Sequence, residues 1–505
     1  MGPSLRCVIV IVLASLTVTA RAQTPEEKAS RRLDEVRDQP GELLAYVRQM
    51  PKGGDLHYHL AGGIYAESWI DFAARDNLCV DRSTSSLLAP PCDKTCSSFA
   101  NKPALRCAYG DQVLYNQLVD AWSMRNWTPS NDSGHDHFFA AFDKFLMAEL
   151  TSTGDQFAEA TSRAANNHET YVEIMHTADG MRAAELGAKL GWDDDFAKMR
   201  QSLLNGGLKD VIAYTREQLD RDEATRKKVQ QCGTAQADPG CAIPVRYLYQ
   251  VLRGLPKEMV FAQMVLGFEL SQTDPRFVGL NLVMPEDWYV PRHDFDLHMR
   301  EMDYLHGLYP KVHITLHAGE LNLGLVPPET LRYHIRASIE KGHAERIGHG
   351  ASVMYEDDAI GLLQEEVQRH VLTEICLSSN DLILGISGQN HPLPVYMKYG
   401  VPVALATDDE GVSRIDMNHE YVRAIEAYKL TYADLKRMAR ASLEHSFLAG
   451  DSLWADGKTF QMGPACASGD DKTGSPCQKL LASSDKARTE WQLERAYAEF
   501  EGRMK

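Results

Sequence analysis

The 505-residue chain reads as an α/β protein built on a (β/α)8 barrel, the TIM-barrel arrangement. Three observations carry that reading. Hydrophobic, strand-like runs end in histidine or aspartate: Gly-Asp-Leu-His57-Tyr-His59, Val-His-Ile-Thr-Leu-His317-Ala-Gly-Glu320, Arg-Ile-Gly-His349-Gly and Val-Pro-Val-Ala-Leu-Ala-Thr-Asp408-Asp409. A barrel builds its active site in this way, at the C-terminal ends of its strands. In the second half of the chain the strand candidates begin about 30 residues apart with helix-like segments such as 328–341 between them, the rhythm of parallel βαβ units. The length exceeds an ordinary domain, but one barrel with insertions absorbs it.

Residues 1–22 have the pattern of an export signal. Arg6 gives the positive start, Cys7 to Leu16 an apolar core too short to span a membrane comfortably, and Ala20-Arg21-Ala22 a cleavage site before Gln23. An uncleaved anchor is the alternative. The mature chain is expected to be soluble and periplasmic or extracellular. Residues 23–50 form a charged, helix-favouring extension, closed by Met50-Pro51-Lys52-Gly53-Gly54. The barrel is expected over 51–450 and a C-terminal extension over 451–505, Gly- and Ser-rich at first and then helical.

Within the barrel the first strand carries His57 and His59. A long gap follows before the second strand, 170–176, and holds a cysteine-containing insertion at about 78–135. Further strand candidates are 245–251, 277–283, 311–317, 345–349, 371–376 and 401–407, eight in all. Of the ten cysteines, Cys7 leaves with the signal. In an exported chain the rest favour disulfides, with Cys232–Cys241 and Cys466–Cys477 expected as local pairs. Cys79, Cys92, Cys96 and Cys107 allow three connectivities that sequence does not rank. A zinc cluster on Cys92 and Cys96 has no second cysteine pair to complete it. Cys376, in an apolar run, reads as a buried thiol.

With 44% hydrophobic and 24% charged residues the chain is globular, and its net charge of −17 argues against nucleic acid or anionic membrane as partner. A small-molecule substrate remains, and a homodimer stays open. Glycosylation at Asn126-Trp-Thr128 or Asn131-Asp-Ser133 stays open too.

The polar strand ends carry the chemistry. Residues two apart on a strand point to one side, so His57 and His59 can face one ion. With His317 and Asp408 they make three imidazoles and a carboxylate, a set that suits one Zn2+ per chain and leaves room for water. Core packing is the bland alternative for an isolated His-x-His. Glu320, three residues past His317, is placed as a general acid in a dry pocket; a surface or capping Glu is the alternative. His349, between two glycines, suits an imidazole that positions or deprotonates the water; a structural His is the alternative. If Asp408 ligates, Asp409 starts the loop and can meet substrate, with helix capping as its other reading. His313 and His176 read as structural, although His313 shares a face with His317 and His176 ends a strand. His343, His391 and His445 have no identifiable partner.

These motifs, with Met-Pro-Lys-Gly-Gly-Asp-Leu-His57-Tyr-His59 and Ser378-Ser-Asn380-Asp-Leu, make the chain resemble the adenosine deaminase family of metal-dependent hydrolases over about residues 50–450. The export signal and the Met-Pro-Lys-Gly opening resemble its secreted, growth-factor-like branch. The resemblance implies zinc-bound hydroxide adding to C6 of adenosine or a related 6-aminopurine nucleoside. Glu320 would protonate N1, His349 would hold the hydroxide, and Asp409 would align the nucleophile or contact N7; ammonia leaves. Ala61 stands where intracellular members carry an Asp that helps hold the ribose. Met284 opens Met-Pro-Glu-Asp where many have a glycine that meets the purine, and Glu410 replaces a common Pro. These departures leave the metal chemistry alone and bear on the substrate, so hydrolysis of a different amine, amide or ester is the alternative. A non-catalytic extracellular binding module predicts loss of a ligand or of the acid, and all six positions are filled. The cytidine-type signature, His-x-Glu with Pro-Cys-x-x-Cys, is not met.

Overall fold

The computed structural model describes residues 23–504 except 131 and 470. The expected export signal, residues 1–22, and Asn131 therefore lie outside the described residues. Eight parallel strands pair in sequence order: β1 (Gly53–His59), β2 (Glu169–His176), β3 (Val245–Leu252), β4 (Phe277–Val283), β5 (His313–Ala318), β6 (Arg346–His349), β7 (Leu372–Ile375) and β8 (Val403–Leu405). The ring shuts between the two ends of the sheet. Asp408 N–H donates to His57 O at 2.8 Å, His59 N–H donates to Asp408 O at 3.2 Å, and Tyr58 and Asp408 form a parallel bridge. This is the (β/α)8 barrel the sequence predicts. The later strands are shorter than their apolar runs, β8 holding only three residues of 401–407.

The 23–50 extension is helical, as expected, in two segments. Pro25–Val36 starts with a capping box in which Thr24 and Glu27 bond reciprocally, and Pro40 opens the second, Pro40–Val47. Buried Lys52 donates to the carbonyls of Val47, Met50 and Asn167, each at 2.8 Å, fastening this extension to the barrel. The C-terminal helix Asp485–Gly502 packs back on it through Tyr46 and Phe500, whose rings meet edge-on at 5.4 Å. Among the described residues no helix is long and apolar enough to cross a membrane.

The segment between β1 and β2 builds a second apolar cluster. Trp69 stacks on Phe145 at 5.1 Å, and the cluster reaches the barrel loops at Ile383, Leu384 and Val412. The structure also selects among the three connectivities: Cys79 pairs with Cys92 and Cys96 with Cys107. A short antiparallel ribbon, Cys79–Val80 with Leu87–Leu88, turns the chain back so that Cys92 reaches Cys79. Cys232–Cys241 and Cys466–Cys477 are bonded as expected, and Cys376 is a buried free thiol.

Candidate active site

Four strand ends meet at the C-terminal mouth. His57 Nε2 and His59 Nε2 lie 3.0 and 3.1 Å from His317 Nε2, and Asp408 Oδ1 lies 3.5 and 3.4 Å from the first two. Backbone conformation helps aim these groups. Asp408 (φ 61°) and His349 (φ 68°) both occupy the left-handed region, a strain characteristic of functional sites. The ring of His57 fits because residue 348 is glycine: a Cβ there would meet His57 Cε1 at 2.5 Å.

Each of the three imidazoles has its outer nitrogen occupied by an acceptor. His57 Nδ1 is 2.6 Å from Glu374 Oε2, His59 Nδ1 is 2.9 Å from Gln250 Oε1, and His317 Nδ1 is 2.9 Å from Asn281 Oδ1. The Asn281 oxygen is fixed as acceptor because it also takes the His317 backbone N–H at 3.0 Å. With the proton on Nδ1, each Nε2 turns a lone pair inward, as metal-ligating histidines do. Three lone pairs and a carboxylate this close repel unless a cation lies among them, so the donor set fits a divalent ion. Burial alone lowers the pKa of His57, yet Asp408 and Glu374 overcome it and push it up to about 10. His349 and Asp409 flank this set. His349 offers a nitrogen within 4.8 Å of the ligand atoms of His57, His317 and Asp408, and Asp409 an oxygen within that distance of His59 and Asp408.

A layer of charge beneath the cluster escapes the sequence reading. Arg346, fully buried, donates to Glu374 Oε1 and Glu173 Oε2, both at 2.6 Å. Burial would push the Glu374 carboxyl up, but Arg346 and His57 hold it below its ordinary value, an anion behind His57. On the other side Glu286 accepts the backbone N–H groups of Gly319 and Glu320 at 3.2 and 2.8 Å and bonds His334 Nδ1 at 2.6 Å. Arg253 donates to Met284 O at 3.1 Å and His317 O at 3.0 Å. The loop bearing Glu320 is therefore clamped from below.

Glu320 is buried, and its Oε1 lies 3.7 Å from His349 Nε2. Burial raises its pKa against the opposing pull of His349, with Asp408 adding to the rise, so its protonated form is favoured more than in water. Asp409 stands at the N-terminus of the helix Glu410–Ser413, but its side chain makes no capping hydrogen bond. Its Oδ1 is buried without a hydrogen-bond partner, and burial, reinforced by Asp408, raises its pKa strongly. It lies against Gly62, where a Cβ would meet that oxygen at 1.6 Å.

Not every sequence candidate joins the site. Ala61 packs on the apolar cluster of the insertion. Met284 takes the left-handed conformation (φ 84°) without being glycine, and its side chain lies over Gly254. Neither brings a polar group. His176 turns outward onto Phe157, and His313 sits at the N-terminal end of β5, stacked on Phe447 at 4.6 Å. His343 pairs with Asp303 at 2.8 Å. His391, expected to lack a partner, bonds the Asn380 amide, which in turn bonds His349. The insertion also reaches the rim: His135 Nε2 is 2.9 Å from Asp287.

Fold and site together define a metal-binding (β/α)8 barrel. Residues 210–453 match the adenosine deaminase family model. Adenosine deaminases of Clostridium perfringens (32% identity over 135 residues) and Salmonella gallinarum (38% over 138) align with 26% and 27% of this chain. The matched segments span only 37% and 38% of those curated relatives. Solved structures share the fold. Arabidopsis ADAL complexed with IMP has a TM-score of 0.54 at 18% identity, covering 91% of this chain and 99% of that one. An amidohydrolase of Burkholderia ambifaria with bound zinc has a TM-score of 0.51 at 14% identity, covering 95% and 97%.

Proposed function

We propose that this chain is an exported, zinc-dependent aminohydrolase that converts adenosine or a related 6-aminopurine nucleoside to the 6-oxo product and ammonia. The observation that carries the reading is the convergence of three tautomer-fixed imidazoles and Asp408 beside a buried Glu320. His57, His59, His317 and Asp408 would hold the ion. Bound there, zinc supplies the Lewis acidity that makes water a nucleophile near neutral pH. The chain does the rest. Glu320, whose pKa burial raises, delivers its proton to the ring nitrogen next to the attacked carbon. His349 and Asp409 hold the attacking water, and ammonia departs. Export is supported by residues 1–22 and by four disulfides, which persist in oxidising compartments.

The test is to measure zinc content and adenosine turnover for the mature protein and for Glu320→Gln. One zinc per chain is expected, with kcat reduced about 10²–10⁴-fold in the variant. Full activity in Glu320→Gln would remove the acid. A second reading, hydrolysis of a different amine, amide or ester, is favoured by Ala61 and Met284, neither of which brings a polar side chain toward a nucleoside. Turnover of another substrate beside inert adenosine would select it.

A further inference from the structure

The helix Leu377–Leu384 places Asn380 between two imidazoles. Its side-chain Oδ1 lies 2.9 Å from His349 Nδ1 and its Nδ2 2.9 Å from His391 Nε2, and a half-turn of the amide exchanges the two. The remaining nitrogen of His391, Nδ1, accepts the backbone N–H of Leu393 at 3.1 Å. All three side chains are buried.

Counting hydrogens along this chain leaves one consistent arrangement. His391 Nδ1 is an acceptor, so it carries no proton, and a neutral imidazole then holds its single hydrogen on Nε2. Burial keeps His391 neutral, pushing its pKa down to about 4. If the Asn380 –NH2 faced His391, that ring would receive two donors and carry no proton at all, an imidazolate with no cation bonded to it. The oxygen and nitrogen of an amide exchange by a half-turn, and the network decides between them. The Asn380 oxygen therefore accepts from His391, and its –NH2 donates to His349 Nδ1. The one hydrogen of His349 is then on Nε2. That atom has no hydrogen-bond partner and faces Glu320 Oε1 at 3.7 Å and Asp408 Oδ2 at 3.9 Å, two acceptors.

We infer that His391 is a positioning residue that acts through Asn380 to fix the tautomer of His349, so that His349 meets the reacting oxygen as an N–H donor and not as a base. This deepens the reading under Proposed function and rests on it. It also separates His349 from its three neighbours. His57, His59 and His317 carry hydrogen outside and a lone pair inside; His349 carries the reverse, and so borders the metal without ligating it.

Neutron diffraction from deuterium-exchanged crystals of the metal-loaded protein reads the proton directly. Deuterium is expected on His349 Nε2 and absent from Nδ1; deuterium on Nδ1 overturns the inference. Kinetics supply a test of opposite sign. In Asn380→Asp the carboxylate only accepts and draws the His349 proton to Nδ1. On adenosine, kcat should fall at least about tenfold, the lower end for a supporting partner, with zinc content kept and KM little changed. An unchanged or higher kcat at full zinc content would show that His349 works as a base. His391→Gln, which can accept from Leu393 and donate to Asn380, should keep kcat within a few-fold where His391→Leu does not. Equal loss in both would reduce His391 to packing. If the wild type fails to deaminate adenosine, the reading of function fails, while the neutron map still decides the tautomer.

Discussion

The barrel mouth and the cysteine-containing insertion are held together by opposite means. At the mouth, residues as far apart as His57 and Glu374, or Asp55 and Thr407, are joined by hydrogen bonds between buried polar groups. In the insertion, disulfides link cysteines only 13 and 11 residues apart, around stacked aromatic rings. Local covalent closure holds a segment in place without fixing any one side chain finely. Long-range polar closure aims each imidazole, but every group depends on a partner that would be costly to leave alone. The two regions should therefore fail differently.

The largest difference is expected from Arg346→Leu, which strands Glu173 and Glu374 in the barrel interior. Removing one partner of a buried pair costs about 3–5 kcal/mol, measured by urea unfolding, and metal binding should go with it. A variant of wild-type stability would break the comparison. Replacing Cys79 and Cys92 together by Ser should cost about 3 kcal/mol or less, the scale of closing a short loop. Zinc affinity by chelator competition should be unchanged, and weaker zinc would mean that the insertion helps aim the site. Glu374→Gln sharpens the contrast from the other side. It should weaken zinc about 10–100-fold, as loss of the group behind a ligating histidine does, and, because Arg346 keeps Glu173 as its other carboxylate, lower the urea midpoint less than Arg346→Leu does. The gentlest test is pH. Burial holds the Glu320 pKa above its ordinary value, so the working acid is present below that pKa and lost as pH rises through it. The turnover of the wild type should fall along that alkaline limb, and the residual rate of Glu320→Gln should not follow it.

The barrel and the His/Asp cluster at its mouth were legible because hydrophobic runs ended in His or Asp, and that pattern needs no knowledge of distant contacts. The supporting layer was written in the same runs but read as strand. Glu374 interrupts Val-Leu-Thr-Glu-Ile-Cys, and Asn281 interrupts Gly-Leu-Asn-Leu-Val. A charged or amide side chain inside an apolar strand seldom stays buried without a partner, so the signal was present. The partner was not, because it lies on another strand. The pairing of the first four cysteines depended on a two-residue ribbon too short to leave a periodic trace. His391 sits in a loop with no period at all, and only the folded distance to Asn380 gives it a role. Substrate preference stays least legible, since Ala61 and Met284 offer a substrate no polar side chain.

Asp408 closes the ring of strands with its own backbone while its side chain faces the cluster. The barrel is thus a hoop whose clasp is also its working tip. A change at this position alters circumference and chemistry in one stroke, and an ion gripping Asp408 from one edge of the seam and His57 and His59 from the other would rivet the hoop shut.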